Sequence, residues 1–165
     1  MSVELITPQR FSEITSRFAT LPPIAVVGDI GVDKYTIGEV KRISPEAPVP
    51  VLEVTEEKFK LGLAANVSNN LQALGIKSTL FGVVGDDHHA DLLIKLLQQQ
   101  KLSTQGIVKA KNRPTILKER VSSGQQQICR IDYEKQIDID GPAQTNLCQQ
   151  IKKHLPLHKA LIVED

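Results

Sequence analysis

The sequence predicts an α/β fold: a parallel sheet with helices on both faces, carrying a small β-structured flap. Three observations predict it. The apolar runs Ile24-Ala25-Val26-Val27, Thr79 to Val84 and Ala160 to Val163 read as strands buried on both faces. Amphipathic helical segments separate them, as βαβ units require. Two other stretches, about 34–57 and 106–133, carry short strands punctuated by prolines and turns, which suits an exposed flap better than a central sheet.

In chain order, residues 1–23 form a helical lead-in, with Phe11, Ile14 and Phe18 on one helical face until Leu21-Pro22-Pro23 breaks it. The first strand, from Ile24, ends at Gly28-Asp29. In the first flap segment Pro45, Pro48 and Pro50 divide short pieces such as Val49 to Val54. Ala64-Ala65-Asn66 opens a helix whose apolar positions Ala64, Val67, Leu71 and Leu74 step by three and four, and Gly75 stops it. The Thr79 to Val84 strand ends in Gly85-Asp86-Asp87, where Asp87 caps a helix carrying Leu92, Leu93, Leu96 and Leu97. Ser122-Ser123-Gly124 marks a hairpin turn in the second flap segment. A helix from about Pro142 to His154 precedes the last strand. Such a strand normally leads into a loop and a helix covering the sheet, so further chain is expected beyond it.

Composition narrows the function classes. The chain has 165 residues, enough for a real core, with 41% apolar and 24% charged residues. Net charge is +1, from 20 basic and 19 acidic residues, without the basic stripe of a nucleic-acid binder. No apolar run approaches the roughly 20 residues of a membrane span. No secretory signal is expected at the N-terminus. The two cysteines, Cys129 and Cys148, make neither a disulfide framework nor a metal site. The expected location is cytoplasmic.

Ligands of open α/β sheets sit beyond the carboxyl ends of the strands. Gly28-Asp29 with Asp33, Gly85-Asp86-Asp87 and Glu164-Asp165 fall there. The carboxylates of Asp29 and Asp33 suit the vicinal hydroxyls of a sugar; a turn cap and a solvated side chain are the plainer account, and spacing alone does not separate the two. Gly62 and Asn66 bracket a helix start whose N–H groups and amide can donate to a ligand, although in isolation this is an ordinary helix entry. Alternation along residues 115–121 puts Lys118 and Arg120 on one face. A three-residue loop including Gly124 would bring Arg130 beside them, giving three cations for a phosphate. Taken alone, that ribbon reads as a solvated edge whose charges discourage edge pairing. His154 and His158 are separated by Pro156 and give no metal site, and no Walker loop, dinucleotide fingerprint or Ser-His-Asp set stands out.

Longer strings decide what single motifs do not. Val27-Gly28-Asp29-Ile30-Gly31-Val32-Asp33-Lys34-Tyr35, Gly62-Leu63-Ala64-Ala65-Asn66-Val67 and the stretch from Pro114 through Lys118, Arg120, Gln126, Arg130 and Asp132 resemble the ribokinase-type (PfkB) sugar kinases. Arg42-Ile43-Ser44-Pro45-Glu46-Ala47-Pro48-Val49-Pro50-Val51 is similar, almost letter for letter, to a segment of the bacterial heptose 7-phosphate kinases among them. The similarity runs from about residue 24 to the end.

The resemblance implies a ribokinase-like α/β fold, a parallel sheet flanked by helices with a small β-lid, of which residues 24–165 would be the N-terminal half. Lid strands would lie at about 34–57 and 106–133, and the lid would also form a homodimer contact. The implied reaction moves the γ-phosphoryl of ATP, with Mg²⁺, to the anomeric oxygen of D-glycero-D-manno-heptose 7-phosphate, on the route to lipopolysaccharide core heptose. By the same resemblance Asp33 and Asp29 hold sugar hydroxyls, Gly62 and Asn66 line the pocket, and Arg42 contributes from the lid. Lys118, Arg120 and Arg130 are candidates for the sugar phosphate on charge. Two departures stand out. Leu63 occupies the second position of a glycine pair, and a positive φ there would strain it. The Gly-Ala-Gly-Asp motif that supplies the family's catalytic base has no counterpart, and the nucleotide pocket is not expected in these residues, so this chain alone is expected to be inactive. Another ribokinase-type carbohydrate kinase, and a non-catalytic sugar-binding or dimerisation module, are the alternatives.

Overall fold

The computed structural model of the chain describes residues 6–164. In chain order the elements are α1 (Pro8–Thr15), β1 (Ile24–Gly28), β2 (Ile30–Ile43), β3 (Pro50–Leu63), α2 (Ala64–Ala73), β4 (Ser78–Val84), α3 (His88–Gln99), β5 (Ser103–Lys109), β6 (Ile116–Ser123), β7 (Gln126–Tyr133), α4 (Gly141–His154) and β8 (Ala160–Glu164). They build two four-stranded sheets, one in the order β5-β4-β1-β8 and one in the order β3-β2-β6-β7.

The first sheet is parallel throughout. Successive side chains of its strands point to opposite faces; one face is covered by α2 and α3, and the other is covered by α4 except along β8, where Leu161 and Val163 are exposed. Val26, Leu80 and Val84 pack with Ala64 and Ala65 of α2 and Leu93 and Leu97 of α3. Val83 and Val108 meet Ala143 of α4 on the other side. Asp87 caps α3 as its position predicts, with its carboxylate accepting from Ala90 N, and Asp140 caps α4 in the same way. Gly75, with φ +77, closes α2. Among the described residues of the lead-in, α1 starts at Pro8 behind the Thr7 cap and a short 3-10 turn follows at Phe18–Thr20, and Phe11 remains 60% exposed. The expected last strand pairs with β1; Asp165 at its tip lies outside the described residues.

The second sheet is the flap. The expected short pieces of 34–57 are one long antiparallel hairpin of two 14-residue strands. Pro45 and Pro48 lie in the connection and Pro50 opens β3, so the prolines mark the tip of the hairpin instead of dividing it. The second flap segment is also shorter than expected. Ser103–Lys109 pairs parallel with β4 in the main sheet, because α3 is the crossover that returns the chain to the sheet it left. Only β6 and β7 join the flap.

The β6–β7 turn holds two residues, Gly124 and Gln125, where three were expected. The register shifts between Val121 and Ser122, so Ile128 bulges, and that extra residue pairs Arg130 with Arg120 and keeps it on the expected face with Lys118 and Arg120.

Candidate functional site

β2 leaves the carboxyl end of β1 through Asp29 alone, so the flap is rooted at the sheet's ligand-binding edge. Cross-strand partners share a face, which places Asp33, Tyr35, Lys60, Gly62, Lys118, Arg120, Arg130 and Asp132 together on one side of the flap. Val32, Leu61 and Leu117 alternate with them and bury against the main core. Of the eight residues predicted from sequence, Asp33, Gly62, Lys118, Arg120 and Arg130 are thus gathered on one polar surface.

Asp33 is its centre. Arg120 Nη1 donates to Asp33 Oδ1 at 2.6 Å, and the guanidinium lies 5.5 Å from the Tyr35 ring. That hydrogen bond, ahead of the opposing burial, holds the Arg120 pKa above its ordinary value. Gly62 leaves room for the carboxylate: a Cβ there would sit 3.2 Å from Asp33 Cγ. The other two cations are also paired with carboxylates. Lys118 Nζ is 3.6 Å from Glu134, and Arg130 meets Asp132 through Nε and Nη2, both at 2.9 Å.

Three predicted residues sit elsewhere. Arg42 is exposed near the tip of the hairpin, nine residues beyond Asp33 and so about 30 Å further along the strand. Asn66 is exposed on α2 and lines a hollow of 380 Å³ with Lys60, Leu61, Leu96 of α3 and Gln100 just beyond it, without Asp33. Asp29 lies at the root of the flap. Its carbonyl accepts from Ala64 N at 3.0 Å, starting α2, and its carboxylate is 3.6 Å from Arg113 Nη2.

Arg113 was not singled out by sequence. Its side chain is only 9% exposed, and with Asp29, Ile116 and Glu134 it lines a cleft of 470 Å³ beside the root of the flap. A lone arginine before a proline carries no motif; the available signal was its place just ahead of the Thr115 to Val121 alternation. The Gly85-Asp86-Asp87 turn proves to be framework. Asp87 Oδ2 accepts from Thr115 N at 2.8 Å, and Thr115 Oγ1 accepts from Gly85 N at 2.9 Å. Burial raises the Asp87 pKa, but the bonds from Thr115 and Ala90 outweigh it and leave the carboxyl below its ordinary value.

Leu63 stands where β3 passes into α2, with φ 56° and ψ −139°. This is backbone that glycine adopts freely and a branched side chain does not.

Behind the flap, Glu119 is buried and bonded to Thr36, Lys34 and Tyr133. Burial raises its pKa and the hydrogen bonds from Thr36 and Lys34 more than reverse this. Tyr133 in turn lies 6.2 Å from the His89 ring at the start of α3, so this cluster ties the outermost strand of the flap to the main body. No helix among the described residues is long and apolar enough to cross a membrane.

Residues 24–155 match the profile of the pfkB family carbohydrate kinases. The chain belongs to that family. It is 39% identical over 144 residues to the bifunctional protein HldE of Aliarcobacter butzleri, covering 87% of this chain and 30% of the relative. The HldE protein of Helicobacter pylori is 43% identical over 142 residues, covering 86% and 31%. This pfkB-family chain therefore spans about a third of the length of the curated relatives it matches. Among solved structures, the acarbose kinase Mak1 superposes with a TM-score of 0.59 at 18% identity, over 87% of this chain and 45% of that one. Ribokinase of Thermotoga maritima gives 0.52 at 19% identity, over 68% and 36%. These likenesses show a ribokinase-like α/β fold, and the flap is the family's β-lid.

Proposed function

We propose that this chain is the sugar-binding part of a kinase that phosphorylates D-glycero-D-manno-heptose 7-phosphate at its anomeric oxygen, for lipopolysaccharide core synthesis in the cytoplasm. The observation that carries this reading is Asp33, a carboxylate fixed by Arg120 over Gly62 on the polar face of the lid, at the carboxyl end of the sheet. A carboxylate so placed accepts hydrogen bonds from vicinal hydroxyls and cannot rotate away from them. The heptose assignment rests on the Arg42 to Val51 string and on the identity to HldE proteins.

In the complete reaction the anomeric hydroxyl attacks the γ-phosphorus of ATP, ADP leaves, and the hydroxyl proton passes to a base. These residues orient the sugar: Asp33 takes hydroxyls from the lid side and Asp29 flanks it, while Asn66 lies in a separate hollow. ATP and Mg²⁺ would supply the phosphoryl group and its charge neutralisation. Among the described residues no three His, Cys, Asp or Glu side chains gather to hold a metal ion. Phosphoryl transfer depends on positioning and charge stabilisation at the transferred group, and this chain on its own is expected to bind sugar without transferring phosphate.

Val40, Val54, Ile131 and Tyr133 leave apolar surface on the lid strands, which supports a homodimer through the lid. The same surface, with strained Leu63, favours the second reading: a non-catalytic sugar-binding or dimerisation module.

Isothermal titration of the chain separates these. Heptose 7-phosphate should bind and fructose and ribose should not. Binding of fructose or ribose with no heat from the heptose phosphate would point to another carbohydrate kinase, and no binding of any sugar would leave the dimerisation module.

A further inference from the structure

We propose that Arg113 holds the phosphate of the phosphorylated sugar, and that Arg120 and Arg130 do not. This deepens the sugar-phosphate reading above and rests on it.

The first argument is unspent hydrogen-bonding capacity. A guanidinium carries five N–H donors, and a buried one needs charged or polar partners. The Arg113 side chain is 9% exposed, and the only carboxylate it reaches among the described residues is Asp29, at 3.6 Å, too long for a hydrogen bond. Arg120 and Arg130, the arginines that charge alone suggests, are committed to Asp33 and Asp132 at 2.6 and 2.9 Å. A phosphate there would compete with a carboxylate already hydrogen-bonded to the same guanidinium.

The second is rigidity. Pro114 restricts the backbone of Arg113. Thr115, next in sequence and 1% exposed, is pinned to Asp87 and Gly85 at the end of β4. The guanidinium is therefore held where ligands of this fold lie, with little ordering left to pay on binding.

The third is the cleft itself. Its volume of 470 Å³ suits a small metabolite. Asp29, Glu134 and Asp138 line it against Arg113 and Lys135. Lys118 sits 3.6 Å from Glu134 and offsets that charge. Asp29 is 59% exposed and only loosely held, so a phosphate can displace it from Arg113 and leave it free to accept a sugar hydroxyl. One end of the cleft then reads an anion and the other reads hydroxyls, the two chemistries that a sugar phosphate combines.

The test is titration of the chain and its Arg113→Gln, Arg113→Lys and Arg130→Gln variants with heptose 7-phosphate and with unphosphorylated heptose. The wild-type chain should prefer the phosphorylated sugar by about 10- to 100-fold, the worth of one or two charge-assisted hydrogen bonds. Arg113→Gln should erase that preference and leave heptose affinity unchanged, Arg113→Lys should keep part of it, and Arg130→Gln all of it. Inorganic phosphate alone should shift the Arg113 Nε–H resonance, which reads the site without any variant. A preference that survives Arg113→Gln, equal loss of both sugars, or an unmoved Arg113 resonance would each overturn the assignment. A chain that binds neither sugar overturns the sugar reading itself, and this inference with it.

Discussion

Arg120 reaches from β6 to the Asp33 carboxylate on the neighbouring parallel strand, 2.6 Å away, while its guanidinium lies against the Tyr35 ring. The pair is less than a third exposed on both sides, so solvent screens it only in part. Its main consequence is directional: the carboxylate has one orientation before ligand arrives. Arg120→Gln should lower affinity for heptose 7-phosphate by about tenfold and stability by about 1 kcal/mol. Calorimetry and chemical denaturation check the two separately. An unchanged affinity would show that Asp33 needs no orienting partner.

Gly62 sets the space that the carboxylate occupies. A methyl group there would lie 3.2 Å from Asp33 Cγ and 3.3 Å from Oδ2, closer than most real contacts. With Asp33 tied to Arg120, the side chain has little room to retreat. Gly62→Ala should weaken sugar binding by about tenfold, the cost of one misplaced charge-assisted hydrogen bond, while leaving the melting temperature within about 2 °C. A fall in melting temperature with affinity intact would mean that the glycine serves the strand pair with Gly31 and not the site.

Leu63 holds φ 56° at the joint between the lid and α2. Such backbone costs a non-glycine residue on the order of 1–3 kcal/mol. Leu63→Gly removes that strain and gives up part of a half-buried side chain, for a net gain of about 1 kcal/mol, or about 2–4 °C in melting temperature. Leu63→Ala gives up the same apolar atoms beyond Cβ and keeps the strain, so it should melt below the wild type. Differential scanning calorimetry distinguishes the pair, and a Leu63→Gly variant less stable than Leu63→Ala would refute the strain.

Much of this was legible in the sequence because it is local. Apolar run length and βαβ alternation give the parallel sheet, and Asp87 and Gly75 announce the ends of their helices without reference to anything distant. Alternation put Lys118 and Arg120 on one face, and the register with Arg130 came out right although the turn is shorter, because Ile128 bulges to compensate. A bulge has no sequence signature comparable to a glycine turn. The lid hairpin was under-read because β3 is solvated on both faces along most of its length, as β2 is over residues 39–43, and such a ribbon lacks a period. Arg113 was missed for a different reason. It shares its cleft with Asp29 between β1 and β2, Ile116 of β6 and the segment after β7, and nothing within its own neighbourhood encodes that meeting.

The cluster behind the lid makes stability depend on pH in two steps. Burial, with His88 close by, holds His89 below its ordinary value of 6.5, so the unfolded chain takes up this proton first. The hydrogen bonds to Glu119 and Asp87 leave both below their ordinary 4.5 and 3.8. All three groups therefore have depressed folded pKa values, and in each case the unfolded state binds more protons as pH falls. Their stabilisation is complete above the ordinary value and is lost as pH drops through the folded one. The urea midpoint should decline gently below about pH 6.5 and steeply below about pH 4.5. His89→Gln should remove the first decline. Glu119→Gln should flatten the second and lower the plateau at neutral pH, because Lys34 loses one of its two carboxylates while keeping Glu57 at 2.7 Å. A Glu119→Gln chain whose acid limb parallels that of the wild type would show that the lid is not anchored to the body through this carboxylate.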